Sequence, residues 1–188
     1  MHRVAQASAV SVVLALLGVL IWHFVNQGTT KVTAGEVAPL WTKSRVDTTG
    51  TLSLASLRGK VVVLNFWQSY CAPCTHEART LAGTSRSWSG KDVVFVGVDE
   101  QDLRAPALKF MRRFNITYPI VADDLSLTGH YGVTGYPETF FIDRRGRVVS
   151  PHIIGPATRK NLEDGIKRAQ ASGNSHAAGE MESALAGL

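Results

Sequence analysis

The stretch Val61–Cys74, VVVLNFWQSYCAPC, does most to limit what this chain can fold into. It opens as an apolar, β-branched run with no helical period, bounded by Arg58-Gly59-Lys60, the pattern of a strand buried on both faces. It then breaks into a short polar turn and delivers Cys71 and Cys74, spaced C-x-x-C. Beyond them the period changes, and Cys74, Ala78, Leu81, Ala82, Ser85 and Trp88 mark the buried stripe of a helix. The two cysteines therefore stand where a buried strand hands over to a helix N-terminus. Free amides and the positive end of the helix dipole favour a thiolate there, and the thiolate is the reactive form of cysteine. Cys71, first in the turn, is expected to be the exposed nucleophile. Cys74, a turn later on the apolar stripe, is expected to be the shielded resolving thiol. Pro73 suits the first helical turn, where no amide partner is lost.

Blander readings of the pair fare worse. A structural zinc site needs four ligands, and the chain has two cysteines in all. His76 is the nearest histidine, but it diverges from the cysteine side of the helix. Covalent haem attachment requires C-x-x-C-H, and Thr75 occupies the histidine position. A purely structural disulfide over so short a loop would restrain little of the unfolded chain. The P-x-x-x-T-x-x-C arrangement of a thiol peroxidase is absent around Cys71. A redox-active dithiol, needing no metal and no organic cofactor, is the preferred reading.

The 188 residues, 45% of them hydrophobic, suffice for one domain with appendages. The formal charge of +5 is spread along the chain, with no basic run interleaved with aromatics, so nucleic-acid binding is not indicated. Two cysteines confined to one motif fit an oxidising compartment. Ala9 to Val25 is an apolar run preceded by Met1, His2 and Arg3, with Trp22 near its far end. It is expected to be a retained single-pass membrane anchor; a cleaved signal is the alternative, and Val32-Thr33-Ala34 has the form of a cleavage site. Either places the remainder outside the cytoplasm. The expected organisation is an anchor or signal over residues 1–30, the main domain over 31–170, and a flexible tail over 171–188.

Within the main domain, Pro39 to Leu54 reads as a β-hairpin around Thr48-Thr49-Gly50. Val93–Val98 is a second buried strand, followed by a helix from Leu103 to Phe114 that Asn115 closes. Tyr118–Val121 is a short extended segment, and a weaker helix reaches Tyr131. Thr139–Ile142 and Val148–Ile154 form an antiparallel pair across Arg144-Arg145-Gly146. A last helix runs from about Ala157 to Gln170, with Leu162, Ile166 and Ala169 inward and Gly165 weakening it. This alternation predicts an α/β sheet with parallel crossovers.

Two of these stretches carry a family resemblance. NFWQSYCAPC is similar to the active-site strand and turn of thioredoxin-like proteins. GVTGYPETFFID resembles their cis-proline segment, in the G-x-P-E-T-F-x-I-D form of the membrane-anchored cytochrome c maturation thioredoxins called CcmG or DsbE. ResA and TlpA proteins share that plan, and the resemblance spans roughly Pro39 to Gln170. It implies a thioredoxin-like α/β fold with an N-terminal β-hairpin extension and a helix–strand insertion after the second core strand, preceded by a single membrane-anchor helix. It implies a cis Pro137 packed beside the sulfurs, where a trans proline opening a strand is the plain alternative. Tyr136 would then offer its backbone to an extended substrate segment. Glu77 occupies the family's C-x-x-C-x-x-E position, where an acid tunes thiol ionisation and relays protons; a solvated first-turn Glu is the alternative. Glu138 fits the family form. With Trp67 packed beneath the site and Tyr70 before Cys71, it completes the expected substrate-binding set. Three departures stand out: Tyr70 replaces the usual Trp, Asn65 replaces the buried acid of ordinary thioredoxins, and Ala78-Arg79 lacks a helix-kinking proline.

The resemblance implies an extracytoplasmic thiol:disulfide oxidoreductase. Cys71 attacks a substrate disulfide and Cys74 resolves the mixed disulfide. Apocytochrome c is the implied substrate, and a membrane thiol-reducing partner recharges the dithiol. A disulfide-forming oxidase for secreted proteins uses the same residues in reverse, and a non-catalytic docking module keeps only the fold. The direction of electron flow stays open at this point.

Overall fold

The apolar run ahead of the cysteines is a strand, Val61–Trp67, buried along its whole length. The computed structural model describes residues 15–22 and 31–186, with side-chain surroundings as far as Gly173. The chain divides into two compact units, Met1–Thr30 and Lys31–Leu188. In the first, residues 15–22 are helical and exposed. The rest of the apolar run expected to anchor the protein lies outside the described residues. Among the described residues, no helix is long and apolar enough to cross a membrane.

In chain order the second unit comprises β1 (Thr42–Ser44), β2 (Thr51–Ser53), β3 (Val61–Trp67), α1 (Ala72–Ser87), β4 (Val93–Glu100) and α2 (Arg104–Phe114). There follow β5 (Ile120–Asp123), α3 (Ser126–Tyr131), β6 (Glu138–Ile142), β7 (Val148–Ile154) and α4 (Arg159–Ala186). The strands β1 and β2 form the expected hairpin. The other five make a sheet of order β5-β4-β3-β6-β7. Strands β3, β4 and β5 are mutually parallel, while β6 runs antiparallel to β3 and β7 antiparallel to β6.

Alternation along β3 divides the core between two faces. Val61, Val63 and Trp67 pack with Phe95, Phe110, Leu162 and Ile166 on one side. Val62, Leu64 and Phe66 pack with Trp41, Leu54, Leu127 and Phe140 on the other. Because β3, β4 and β5 are parallel, their C-terminal ends share one edge of the sheet. Strand β6 enters at that edge, pairing Glu138 with Phe66. The topology therefore brings the turn bearing Cys71 and the loop ending at Pro137 to the same place.

Three details depart from the sequence expectation. The last helix continues to Ala186, so residues 171–186 extend it instead of forming a separate tail. That segment contains no proline, and its alanines are the strongest helix formers. Gly165 does not merely weaken α4, because a Cβ there would lie 2.1 Å from Phe141 Cζ and the helix could not approach the sheet. On α1 the buried stripe takes in Glu77 and Thr84 rather than Ser85.

Candidate active site

The dithiol turn is shaped by its own backbone. Cys71 is the N-cap of α1 in an extended conformation, and its sulfur accepts a hydrogen bond from the Cys74 amide at 3.1 Å. Pro73 lies in the first helical turn. Cys71 and Cys74 are joined in a disulfide. Cys74 is 2% exposed while Cys71 is half-buried, the asymmetry wanted between a resolving thiol and a nucleophile. The Tyr136–Pro137 peptide is cis and Pro137 is buried. Half-buried Tyr136 turns its carbonyl oxygen to within 3.5 Å of Cys71 Sγ. Tyr70, at 68% exposure, stands open beside the turn.

Glu77 is 1% exposed, which sets aside the reading of a solvated first-turn side chain. Its Oε1 accepts from Asn65 Nδ2 at 2.7 Å and its Oε2 from the Ala157 amide at 2.6 Å. Burial pushes the carboxyl up to about 7, and the hydrogen bonds from Ala157 and Asn65 oppose that rise. Glu77 and Cys74 line one cavity of about 10 Å³ with Asn65, Trp67 and Tyr118. That space is at the lower limit for one water. Tyr118 is held well above the ordinary phenol range by its burial and then by the charge of Glu77.

Trp67 packs beneath the site as expected, buried with its ring 4.5 Å from that of Phe110. One residue expected to face substrate does not. Glu138 is 1% exposed, and its Oε1 accepts from the Thr134 amide at 2.9 Å, Thr134 Oγ1 at 2.8 Å and the Gly135 amide at 3.2 Å. Its role is to clamp the loop ahead of Pro137, with His152 Nε2 3.3 Å from its other oxygen. Trp67 and Glu138 thus support the site from inside the fold, leaving Tyr70, Tyr136 and Pro137 beside the disulfide.

Other contacts that build the site escaped the sequence reading. Asn65 holds Glu77 and also donates to Thr139 Oγ1 at 3.0 Å. Its signal was available, since an amide inside an otherwise apolar buried strand must find partners. Asp102 accepts from the Ser69 amide at 2.6 Å and from Ser69 Oγ at 3.0 Å, bracing the turn. Nothing in the spacing of Ser69 and Asp102 announces that contact. Among the described residues, no three His, Cys, Asp or Glu side chains come together to hold a metal ion.

The family model of the AhpC/TSA family matches residues 34–150, more than half of the chain. This chain belongs to the AhpC/TSA family. The thiol-disulfide oxidoreductase ResA of Bacillus subtilis is 30% identical over 155 residues, covering 81% of this chain and 85% of ResA. A Chlorobium tepidum structure provisionally assigned as the thiol:disulfide interchange protein DsbE superposes with a TM-score of 0.68 at 27% identity. It covers 74% of this chain and 99% of that one. The structure of MTB dsbF, in mixed oxidized and reduced forms, gives a TM-score of 0.63 at 26% identity, with 69% and 95% covered. This AhpC/TSA member has a thioredoxin-like α/β fold. It is a thiol-disulfide oxidoreductase of the ResA and DsbE type, with the Cys71–Cys74 disulfide at its active site.

Proposed function

We propose that the enzyme works as a reductant outside the cytoplasm, tethered through residues 9–25, with the disulfide of apocytochrome c as its substrate during cytochrome c maturation. The observation carrying this reading is the buried Glu77 across a small cavity from Cys74. A carboxylate beside a thiol disfavours its thiolate. A dithiol whose thiolate is disfavoured gives up electrons more readily than one whose reduced form is stabilised.

The Cys71 thiolate attacks one sulfur of the substrate disulfide, and the other leaves as a thiolate. Glu77 takes the Cys74 proton, and the resulting thiolate attacks Cys71 Sγ. The substrate departs with both cysteines reduced, and the enzyme is left as the Cys71–Cys74 disulfide. Tyr136 presents its backbone beside the mixed disulfide, and Tyr70 offers an exposed aromatic surface. The exchange runs on the two sulfurs with no metal or organic cofactor. A membrane thiol reductant restores the dithiol.

The test is trapping. Cys74→Ser, incubated with an oxidised C-x-x-C-H peptide, is expected to accumulate a mixed disulfide through Cys71. Equal trapping of unrelated disulfide peptides would overturn apocytochrome c as the specific substrate. Full activity in Cys71→Ser would overturn the catalytic scheme and leave the docking-module reading.

A further inference from the structure

A groove of about 220 Å³ opens beside the dithiol turn, lined by Ser69, Pro106, Lys109, Phe110 and Arg113. Ser69 stands two residues before Cys71, so the spacing of consecutive Cα atoms keeps the two within about 8 Å. Phe110, 7% exposed, supplies an apolar wall. Pro106, Lys109 and Arg113, three and four apart, form one stripe of α2. In the sheet, β4, which leads to α2, and β6, which follows Pro137, flank β3 on opposite sides. A polypeptide that meets the backbone of Tyr136 and crosses the sulfurs therefore continues toward this groove.

Both cations of the groove are exposed. Among the described residues, no carboxylate lies within ion-pair distance of Lys109 or Arg113. Asp102, the acid that touches Ser69, is taken by the Ser69 amide at 2.6 Å and the Ser69 hydroxyl at 3.0 Å. Asp99 and Glu100, at the end of β4, are buried. Helix α2 contains no acid, and its other cation near the turn, Arg104, gives its Nε to the Val46 carbonyl. The helix dipole accounts for Arg112 and Arg113 in the last turn, but not for Lys109 further in. Lys109 and Arg113 stand four apart, a spacing at which like charges on a helix repel. Arg113 and exposed Arg79 of α1 both lie over the Phe114 ring, at 5.1 and 5.6 Å, so the basic surface carries on to α1. The one acid of α1, Glu77, is buried.

We infer that this groove recognises an acidic segment of the substrate polypeptide beside the cysteine that Cys71 attacks. An extended chain advances about 3.3 Å per residue, so carboxylates two to four residues from that cysteine reach Lys109 and Arg113. Phe110 packs against the stems of those side chains, and the paired charges speed docking more than they tighten it. The inference rests on the Cys71 exchange chemistry of the proposed function and names the class of polypeptide that reaches it, whichever way electrons flow.

The test uses the full-length Cys74→Ser chain and peptides whose single cysteine is capped with thionitrobenzoate. The Cys71 thiolate attacks the peptide sulfur, a Cys71–peptide disulfide forms, the S–S bond to the cap breaks and the coloured thiolate leaves. The peptides differ only at the positions two to four from the cysteine, which are Asp, Ser or Lys. At low salt the aspartate peptide is expected to react about five- to tenfold faster than the serine peptide. In molar salt that advantage should fall below about twofold. Lys109→Glu combined with Arg113→Glu is expected to reverse the order and favour the lysine peptide. Equal rates for the aspartate and serine peptides at low salt would overturn the inference, as would an aspartate preference unchanged in the double variant. If the reversed pair does not fold, Lys109→Gln with Arg113→Gln replaces it and is expected to abolish the preference. Phosphatidylglycerol vesicles that bind the protein through these two residues, while all three peptides react alike, would overturn the inference and assign the surface to the membrane. A protein that oxidises its client in place of reducing it leaves this comparison unchanged, so the two readings fail separately.

Discussion

Asn65 on β3 donates to Glu77 on α1 over 2.7 Å, so the strand leading into the dithiol and the helix leaving it share one carboxylate. The other oxygen of that carboxylate accepts from the Ala157 amide ahead of α4, at 2.6 Å. Three elements therefore meet on a buried acid that no cation among the described residues neutralises, in a cavity that also touches Cys74.

The first consequence is a pH dependence. Glu77 holds its proton up to about 7 in the folded protein, against 4.5 for an ordinary glutamate. The native state thus binds more protons than the unfolded chain between those values. Its stabilising contribution is complete below about pH 4.5 and is lost as pH rises through about 7, a change of roughly 3 kcal/mol. In Glu77→Gln, urea midpoints measured from about pH 5 to 8 should lose that part of their slope. Resolution of the mixed disulfide should slow by roughly tenfold or more and lose its inflection near neutrality.

Asn65→Leu tests the other end of the contact. The amide's hydrogen bond lowers the Glu77 value, so its loss should raise it further. The inflection in the resolution rate should move to higher pH. Leaving a buried carboxyl oxygen unsatisfied should cost about 1–3 kcal/mol in chemical denaturation.

Glu138→Ala releases three donors in the loop before Pro137 without touching the sulfurs. The expected result is a KM for a peptide disulfide raised by roughly tenfold, equivalent to about 1.4 kcal/mol of docking. Alkylation of Cys71 should stay within about twofold, because the nucleophile's own surroundings are unchanged.

Gly165→Ala sets propensity against packing. In an exposed helix the change would stabilise by roughly 1 kcal/mol. Here the new methyl would meet the Phe141 ring at 2.1–2.4 Å, so a loss of about 1–3 kcal/mol is expected. Thermal unfolding of the variant gives the sign directly.

The parts of the site visible in the sequence are those that depend on order along the chain. A buried strand followed by C-x-x-C and a helical stripe locates Cys71, Cys74 and, through the stripe, the face bearing Glu77. The G-Y-P-E-T run locates Pro137 and Tyr136. What period and spacing do not supply is the partner across the fold. Asn65 reads only as a replacement for the buried acid of ordinary thioredoxins until α1 and β6 bring Glu77 and Thr139 to it. Glu138, next to the loop that meets the disulfide, reads as substrate-facing until the backbone of Thr134 and Gly135 closes around its carboxylate. Gly165 reads as a helix weakness until Phe141 is seen beneath it. The extension of α4 to Ala186 was hidden for a different reason, because its small and polar residues lack the apolar stripe by which the earlier helices are recognised.

Electron flow from this protein to its substrate is the central claim, and the reduction potential of the Cys71–Cys74 couple tests it most directly. The full-length chain would be equilibrated with defined thiol buffers and the thiols trapped by alkylation. The account predicts a potential near or below about −250 mV, at the thioredoxin end of the scale. A potential near about −120 mV, at the oxidant end, would contradict it and make disulfide formation the protein's task.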